Sequence, residues 1–365
     1  MPIGSTNQEG GVKTKRSMWW LLIALMTAFL ALTAVACGGD DDDEGEGGDE
    51  GEAISVAFVT DTAGADDRGF NEFSINGVER AEQELGITKR IYISKAAEDY
   101  VPNLTAAAED GHDLVIAAGF LIAPSVIEVA QAFPDTNFAG VDHFYGGDGC
   151  EAAKTCTQPN ALGLQYPSEE SGYVAGVAAG LLTKSGTVST VGGEKIPSVD
   201  NWIAGFQQGV IDTKPGTKTL NAYSDDFVDQ AKCKEIALDQ ISQGSDIVFQ
   251  VAGQCGLGAI DAACERNLTA IGVDADQSAQ GKCVLFSALK PLEDSVFSVI
   301  ETANAGNFAG GKNQTFGVAD LEDAQLLTDF TKEVPQNVQT AVDEADAAVK
   351  SGEIDPPATL AQVKK

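Results

Sequence analysis

From residue 54 onward the chain alternates two kinds of segment, and that alternation limits its fold more than any other feature. Short apolar, β-branched runs bounded by polar residues or glycine occur at 54–60, 90–94, 113–117, 137–141, 187–191, 218–222, 246–251, 269–273 and 284–289. Runs that are apolar on both faces suit strands of a parallel sheet covered on both sides. Between them lie stretches with helical spacing at 70–85, 100–110, 121–133, 168–183, 199–210, 228–243, 256–267 and 291–305. Strand and helix in strict succession predict βαβ units wound about mostly parallel sheets. About four of these strands precede residue 162 and about five follow it, which predicts two similar α/β lobes rather than one sheet.

In such sheets ligands bind beyond the carboxyl ends of the strands, so the residues just after each strand are the candidates for a site. They are Asp61, Asp66, Asp67, Phe70 and Asn71; then Gly119 and Phe120; then Asp142 and His143; and in the second half Gly192-Gly193, Asp226-Phe227, Gly253, Asp274 and Lys290. Rings can stack on a planar group, and carboxylates can accept hydrogen bonds from hydroxyl or ring N–H groups. Each of Asp67, Asp142 and Asp274 is equally the residue an ordinary helix N-cap would use. Gly253, Gly256 and Gly258 form Gly-x-x-Gly-x-Gly, which has the wrong spacing for a dinucleotide loop and fits a tight strand-to-helix turn. His143 stands where it could approach a ligand, whereas His112 lies in a polar turn and is expected at the surface.

Charge excludes one class of partner. The chain carries 55 Asp+Glu against 23 Lys+Arg, a net charge of −32, and offers no basic surface to exchange for the counterions of a nucleic acid. Phosphorylated ligands fit no better, since Lys290 is the one base among the strand-end residues. Catalysis finds no G-x-S-x-G, no H-E-x-x-H and only two histidines, so no enzyme is expected; an aspartate-held calcium ion in nucleoside hydrolysis is the remaining catalytic alternative.

The first 52 residues are of another kind. Lys13, Lys15 and Arg16 precede an apolar run over 18–36, and the run ends in small residues before Cys37, the pattern of an export signal. The junction resembles a lipoprotein lipobox, in which Cys37 becomes the lipidated first residue; an uncleaved membrane span is the alternative. Residues 38–52 hold nine acids, no base and nothing to bury, which predicts an extended tether. The folded part is thus expected outside the cytoplasmic membrane. Setting Cys37 aside leaves six cysteines, an even number suited to disulfides in that compartment. No C-x-x-C occurs, and neither a metal nor a cofactor is expected.

Several ordered pieces together resemble the basic membrane protein family, lipoproteins that serve as purine nucleoside receptors of ABC importers. They are DTAGADDRGFN at 61–71, YVPNL at 100–104, DLVI at 113–116 with Gly119-Phe120-Leu121, FPDT at 133–136 leading to Asp142, and EESGYVAG at 169–176. Gly192-Gly193 with Pro197, Asp226-Phe227, Gly253, IGVDADQ at 271–277 and SALK at 287–290 complete the set. Ala63 stands where the family usually has glycine. The resemblance implies a two-lobe type I periplasmic binding protein fold, each lobe a doubly wound, mostly parallel sheet, with three crossings at 161–166, 284–289 and 315–321. It implies lobe 1 at 53–160 and 290–315, lobe 2 at 161–289 and 316–350 with its last helix at 336–349, and a tail at 351–365, after a signal peptide at 1–36 and a tether at 37–52.

By the same resemblance Phe70 and Phe227 stack on a nucleoside base, with Asp61, Asn71 and Asp142 at its hydrogen-bonding edge. Asp67 belongs to the same loop; Asp274, Lys290 and the backbone of Gly253 hold the ribose, and Trp202 is a second-rank aromatic candidate. The implied partners are a nucleoside, an ABC permease with its ATPase, and a membrane through lipid on Cys37, with the protein acting as a monomer. A surface sensor or adhesin on the same fold is the alternative function. The implied topology places Cys233 and Cys255 near helix starts, and Cys264 and Cys283 at the opposite sheet edge. With Cys150–Cys156 close in sequence, the expected bridges are Cys150–Cys156, Cys233–Cys255 and Cys264–Cys283, one of 15 possible sets.

Overall fold

The computed structural model describes residues 53–148, 150–321 and 324–364. The expected export signal, lipidated Cys37 and acidic tether lie outside the described residues. The strands are β1 (Ser55–Val59), β2 (Thr88–Tyr92), β3 (Leu114–Ala118), β4 (Asn137–Val141), β5 (Ala161–Gln165), β6 (Thr187–Gly192), β7 (Lys218–Tyr223), β8 (Ile247–Val251), β9 (Thr269–Asp274), β10 (Val284–Leu289) and β11 (Lys312–Thr315). The helices are α1 (Phe70–Leu85), α2 (Tyr100–Glu109), α3 (Ala123–Ala132), α4 (Cys150–Ala153), α5 (Ser168–Leu182), α6 (Pro197–Thr213), α7 (Gln230–Ser242), α8 (Gly256–Glu265), α9 (Leu292–Asn304) and α10 (Gln336–Lys350).

They form two parallel sheets, ordered β11-β5-β4-β3-β1-β2 and β10-β9-β8-β6-β7. Helices cover both faces of each, which is why the central strands β3 and β8 are buried along their whole length. In the first sheet β1 lies between β2 and β3, and in the second β6 lies between β7 and β8. Each lobe therefore reverses its strand order once, and each reversal opens a crevice at the strand carboxyl ends.

Three elements depart most from the sequence reading. Residues 161–165, expected to open the second lobe, pair with β4 as the fifth strand of the first sheet, with Phe138 opposite Ala161. The chain therefore leaves the first lobe at Tyr166-Pro167, and it returns at Lys290-Pro291 only after β10 has completed the second sheet. β2 begins two residues earlier than its apolar run, because Thr88 takes register from Ser55 on an edge where alternate side chains face water. β11 was not expected as a strand: Lys-Asn-Gln-Thr contains nothing apolar and survives at the sheet edge through its parallel bonds to β5.

Packing carries these elements into place. α5 and α6 cross so closely that a Cβ on Gly176 would stand 2.2 Å from the Phe206 carbonyl, and one on Gly209 would stand 2.1 Å from that of Tyr173. Only glycine permits that approach, and it seats Trp202 of α6 in the second-lobe core. α9 returns to the first lobe, where Leu292, Val296 and Ile300 share a core with Val56, Phe58 and Ile116. α10 packs Val338, Val342 and Val349 onto the second lobe, and the expected tail follows it there, with Ile354 and Leu360 against the same core. All three expected disulfides are formed, with Cα separations of 4.7, 5.6 and 5.0 Å for Cys150–Cys156, Cys233–Cys255 and Cys264–Cys283.

Candidate functional site

A cleft of about 640 Å³, partly open to solvent, lies where the two strand-order reversals meet. From the first lobe come Asp61 and Phe70 beyond β1, Gly119 and Phe120 beyond β3, and Asp142 beyond β4. From the second come Trp202 on α6, Phe227 beyond β7, Gly253 beyond β8, Asp274 at the end of β9, and Lys290 after β10.

The first-lobe loop is held by its own side chains. Asp67 is buried and accepts from the backbone N–H groups of Gly69, Asn71 and Glu72 at 3.1, 2.9 and 3.0 Å, so it organises the start of α1. Asp67 lines the cleft, but both its oxygens are engaged in the loop. Asn71, expected at the ligand's edge, does not line the cleft: its Nδ2 donates to Asp61 at 2.7 Å and to Asp67 at 3.0 Å. It acts on the site through Asp61. Asp61 also lies against Gly119, where the backbone is left-handed (φ 97°) and a Cβ would come within 3.2 Å of the carboxylate. Burial raises the Asp61 carboxyl to about 6, against the lowering effect of its Asn71 hydrogen bond.

A buried ion cluster joins the lobes. Lys290 Nζ donates to both oxygens of Asp142 at 3.0 and 2.8 Å and lies 3.8 Å from Asp274 Oδ1, while its side chain is 2% exposed. Its ammonium also faces the rings of Phe70, Tyr166 and Trp202 at 5.2, 5.2 and 5.8 Å. Neither Asp142 nor Asp274 is a helix N-cap: both have left-handed backbones (φ 62° and 66°), a strain that concentrates at functional sites. Burial raises the Asp274 carboxyl to about 6, with Lys290 opposing, and its Oδ1 is buried without a hydrogen-bond donor.

Phe227 is half-buried and packs closely against the bare backbone of Gly193, since a Cβ there would stand 2.3 Å from its ring. The cleft thus brings together Asp61, Asp67, Phe70, Asp142, Trp202, Phe227, Gly253, Asp274 and Lys290. His143 is kept out of it. Its ring is fully buried, Nε2 donates to the Gly119 carbonyl at 2.8 Å and Nδ1 accepts from Tyr145, and burial pushes the imidazole down to about 4. His112, expected at the surface, is half-buried edge-on to Tyr92. Sequence reasoning passed over Tyr100 and Ser198, which also line the cleft. Tyr100 carried a signal, standing in the YVPNL piece at the start of α2. Among the described residues no group of three or more His, Cys, Asp or Glu side chains is arranged to hold a metal ion.

Comparison with known proteins shows the family and the fold. A family model described as "ABC transporter substrate-binding protein PnrA-like" matches residues 54–351. The chain is 30% identical to the CD4+ T-cell-stimulating antigen of Listeria innocua serovar 6a, over 88% of this chain and 93% of that protein. It is 28% identical to the ABC transporter nucleoside-binding protein BmpA of Lactococcus lactis subsp. cremoris, over 88% and 95% of the two chains. In structure it superposes on an ABC transporter solute-binding protein of Aeropyrum pernix K1 with a TM-score of 0.74 at 21% identity, covering 84% of this chain and 94% of that one.

Proposed function

The chain belongs to the family of PnrA-like ABC transporter substrate-binding proteins, and from that premise we propose that it captures a nucleoside, by preference a purine one, and delivers it to a membrane permease and its ATPase. The observation that carries this reading is the composition of the cleft. Phe70 and Phe227 from opposite lobes offer stacking faces for a planar base, and Asp61 offers an acceptor beside them. Asp274 Oδ1 is a buried acceptor that lacks a donor, and a ribose hydroxyl would supply one.

The same cleft disfavours a phosphate. Four carboxylates line it, Lys290 is the single cation among its lining residues, and Asp142 and Asp274 already engage that cation. An uncharged ligand with hydroxyl and ring N–H donors fits this balance. The similarity to a protein named as nucleoside-binding supports the same ligand class. We read the site as one that binds without catalysing. Cys37 is the lipid anchor in this account, residues 38–52 are the tether, and the folded part works as a monomer on the extracytoplasmic face of the membrane.

Closing of the lobes about the hinge at Tyr166-Pro167, Lys290-Pro291 and Phe316-Gly317 would desolvate the rings and bring both sets of groups to one ligand. Mass spectrometry of small molecules released from protein purified without denaturation tests the ligand class. A nucleoside is expected; recovery of a sugar or a phosphorylated compound as the sole occupant would contradict the reading.

A further inference from the structure

Gln277 lies in the loop after β9, is 1% exposed, and does not line the cleft. The second lobe holds its side chain in one orientation. Oε1 accepts from the Val273 N–H at 3.1 Å and from Gln250 Nε2 at 2.6 Å, while the residue's own N–H donates to Ser287 Oγ at 3.0 Å. With Oε1 engaged twice, Nε2 is the end left to face outward. It donates to the carbonyl of Arg68 at 3.1 Å, and Arg68 belongs to the first-lobe loop between β1 and α1.

The first-lobe side is equally specific. Arg68 is a non-glycine residue in the left-handed region (φ 59°), a conformation that persists only where its surroundings hold it. Gly69 next to it brings backbone within contact of Gln277, since a Cβ there would stand 3.5 Å from Nε2. This loop carries Asp61 at one end and Phe70 at the other, both of which line the cleft. Among the described residues the other hydrogen bonds that tie the lobes are those of the crossings and of Lys290.

We propose that Gln277 is a positioning residue for closure: a rigid donor on the second lobe that latches the first-lobe loop 61–70 across the cleft without touching the ligand. The proposal rests on the reading of the cleft as a site that closes over its ligand. A bond made in the closed arrangement favours that arrangement by its own free energy and adds up to the same amount to ligand affinity, less where the ligand-free chain already closes part of the time. One net hydrogen bond corresponds to roughly a 2- to 10-fold effect on affinity.

The test compares the full chain with Gln277→Glu and Gln277→Met by hydrogen exchange and by stopped-flow binding. Gln277→Glu keeps an oxygen for Val273 and Gln250 but sets a second oxygen against the Arg68 carbonyl; Gln277→Met removes the amide and serves if the first variant does not fold. The expected result without ligand is faster amide exchange over 61–71, on the opposite lobe from the substitution, which a role confined to the second lobe would not produce. With adenosine or guanosine, dissociation should quicken roughly 2- to 10-fold while association stays unchanged. A folded variant with wild-type exchange over 61–71 overturns the latch. Should the wild-type chain bind neither nucleoside, the ligand class falls, and the exchange comparison still decides the latch.

Discussion

Replacing Lys290 with methionine keeps the apolar stem of the side chain, one atom shorter, and removes one charge. In the structure that charge stands 2.8 Å from Asp142 and 3.8 Å from Asp274, with all three side chains at most 10% exposed. Taking the cation away leaves two buried carboxylates facing each other, and breaking a buried pair in this way costs about 3–5 kcal/mol. Acid should relieve the penalty. Burial already raises the folded Asp274 carboxyl from 3.8 to about 6, so between those values the folded state holds a proton that the unfolded state has released. Lys290 lowers that value, and its loss would raise it further, so the variant keeps the proton to a higher pH. Denaturant unfolding of wild-type and Lys290→Met protein at pH 5 and pH 7.5 measures the difference. A loss of about 3–5 kcal/mol is expected at pH 7.5 and a smaller one at pH 5. Wild-type stability of the variant at pH 7.5, or a penalty that grows on acidification, would refute the reasoning.

Phe227→Ala should weaken nucleoside binding by about 1–3 kcal/mol, roughly 5- to 150-fold, with little change in melting temperature; calorimetry and thermal unfolding together check both halves. Gly193→Ala should weaken binding through the same ring, because its new methyl would stand 2.3 Å from Phe227 and force it to move, and titration of this variant reads the effect. Asp61, Asp274 and Glu169 are all raised by burial, to about 6, 6 and 7, which outweighs the opposite pull of the single buried His143, lowered to about 4, so the ligand-free protein should melt at a higher temperature at pH 5 than at pH 7.5, as a pH series of melting curves will show. Cys37→Ser should move the chain from the membrane fraction to the soluble one, as fractionation of expressing cells would report.

The alternation of strands and helices was legible because strands buried on both faces, such as Leu114–Ala118, must be written in apolar residues. β11 was invisible for the opposite reason: an edge strand of Lys, Asn, Gln and Thr buries little, and only the bonds offered by β5 define it. β5 was read only as a crossing and counted with the second lobe, since a short run such as Ala-Leu-Gly-Leu-Gln does not say which sheet it joins.

At the site, strand ends pointed to Asp61, Asp142, Asp274, Phe227 and Lys290, because topology alone sends those positions to the crevice. What sequence could not separate was a side chain facing the cleft from one facing its own loop. Asp67 and Asn71 stand in the same motif as Asp61, yet Asp67 binds three N–H groups of its turn and Asn71 binds the two aspartates. His143, one residue beyond Asp142, turns away to Gly119 and Tyr145 because Asp142 takes the left-handed conformation at the strand end.

The central claim is that the cleft accepts an uncharged nucleoside and refuses its phosphorylated form. Calorimetric titration of the purified protein with adenosine, guanosine, inosine and uridine, each beside its 5′-monophosphate, tests it most directly. The account predicts saturable heat with at least one nucleoside, a purine first, and no measurable heat with the matching monophosphate. Heat from a monophosphate as strong as that from its nucleoside, or none from any of the eight compounds, would contradict it.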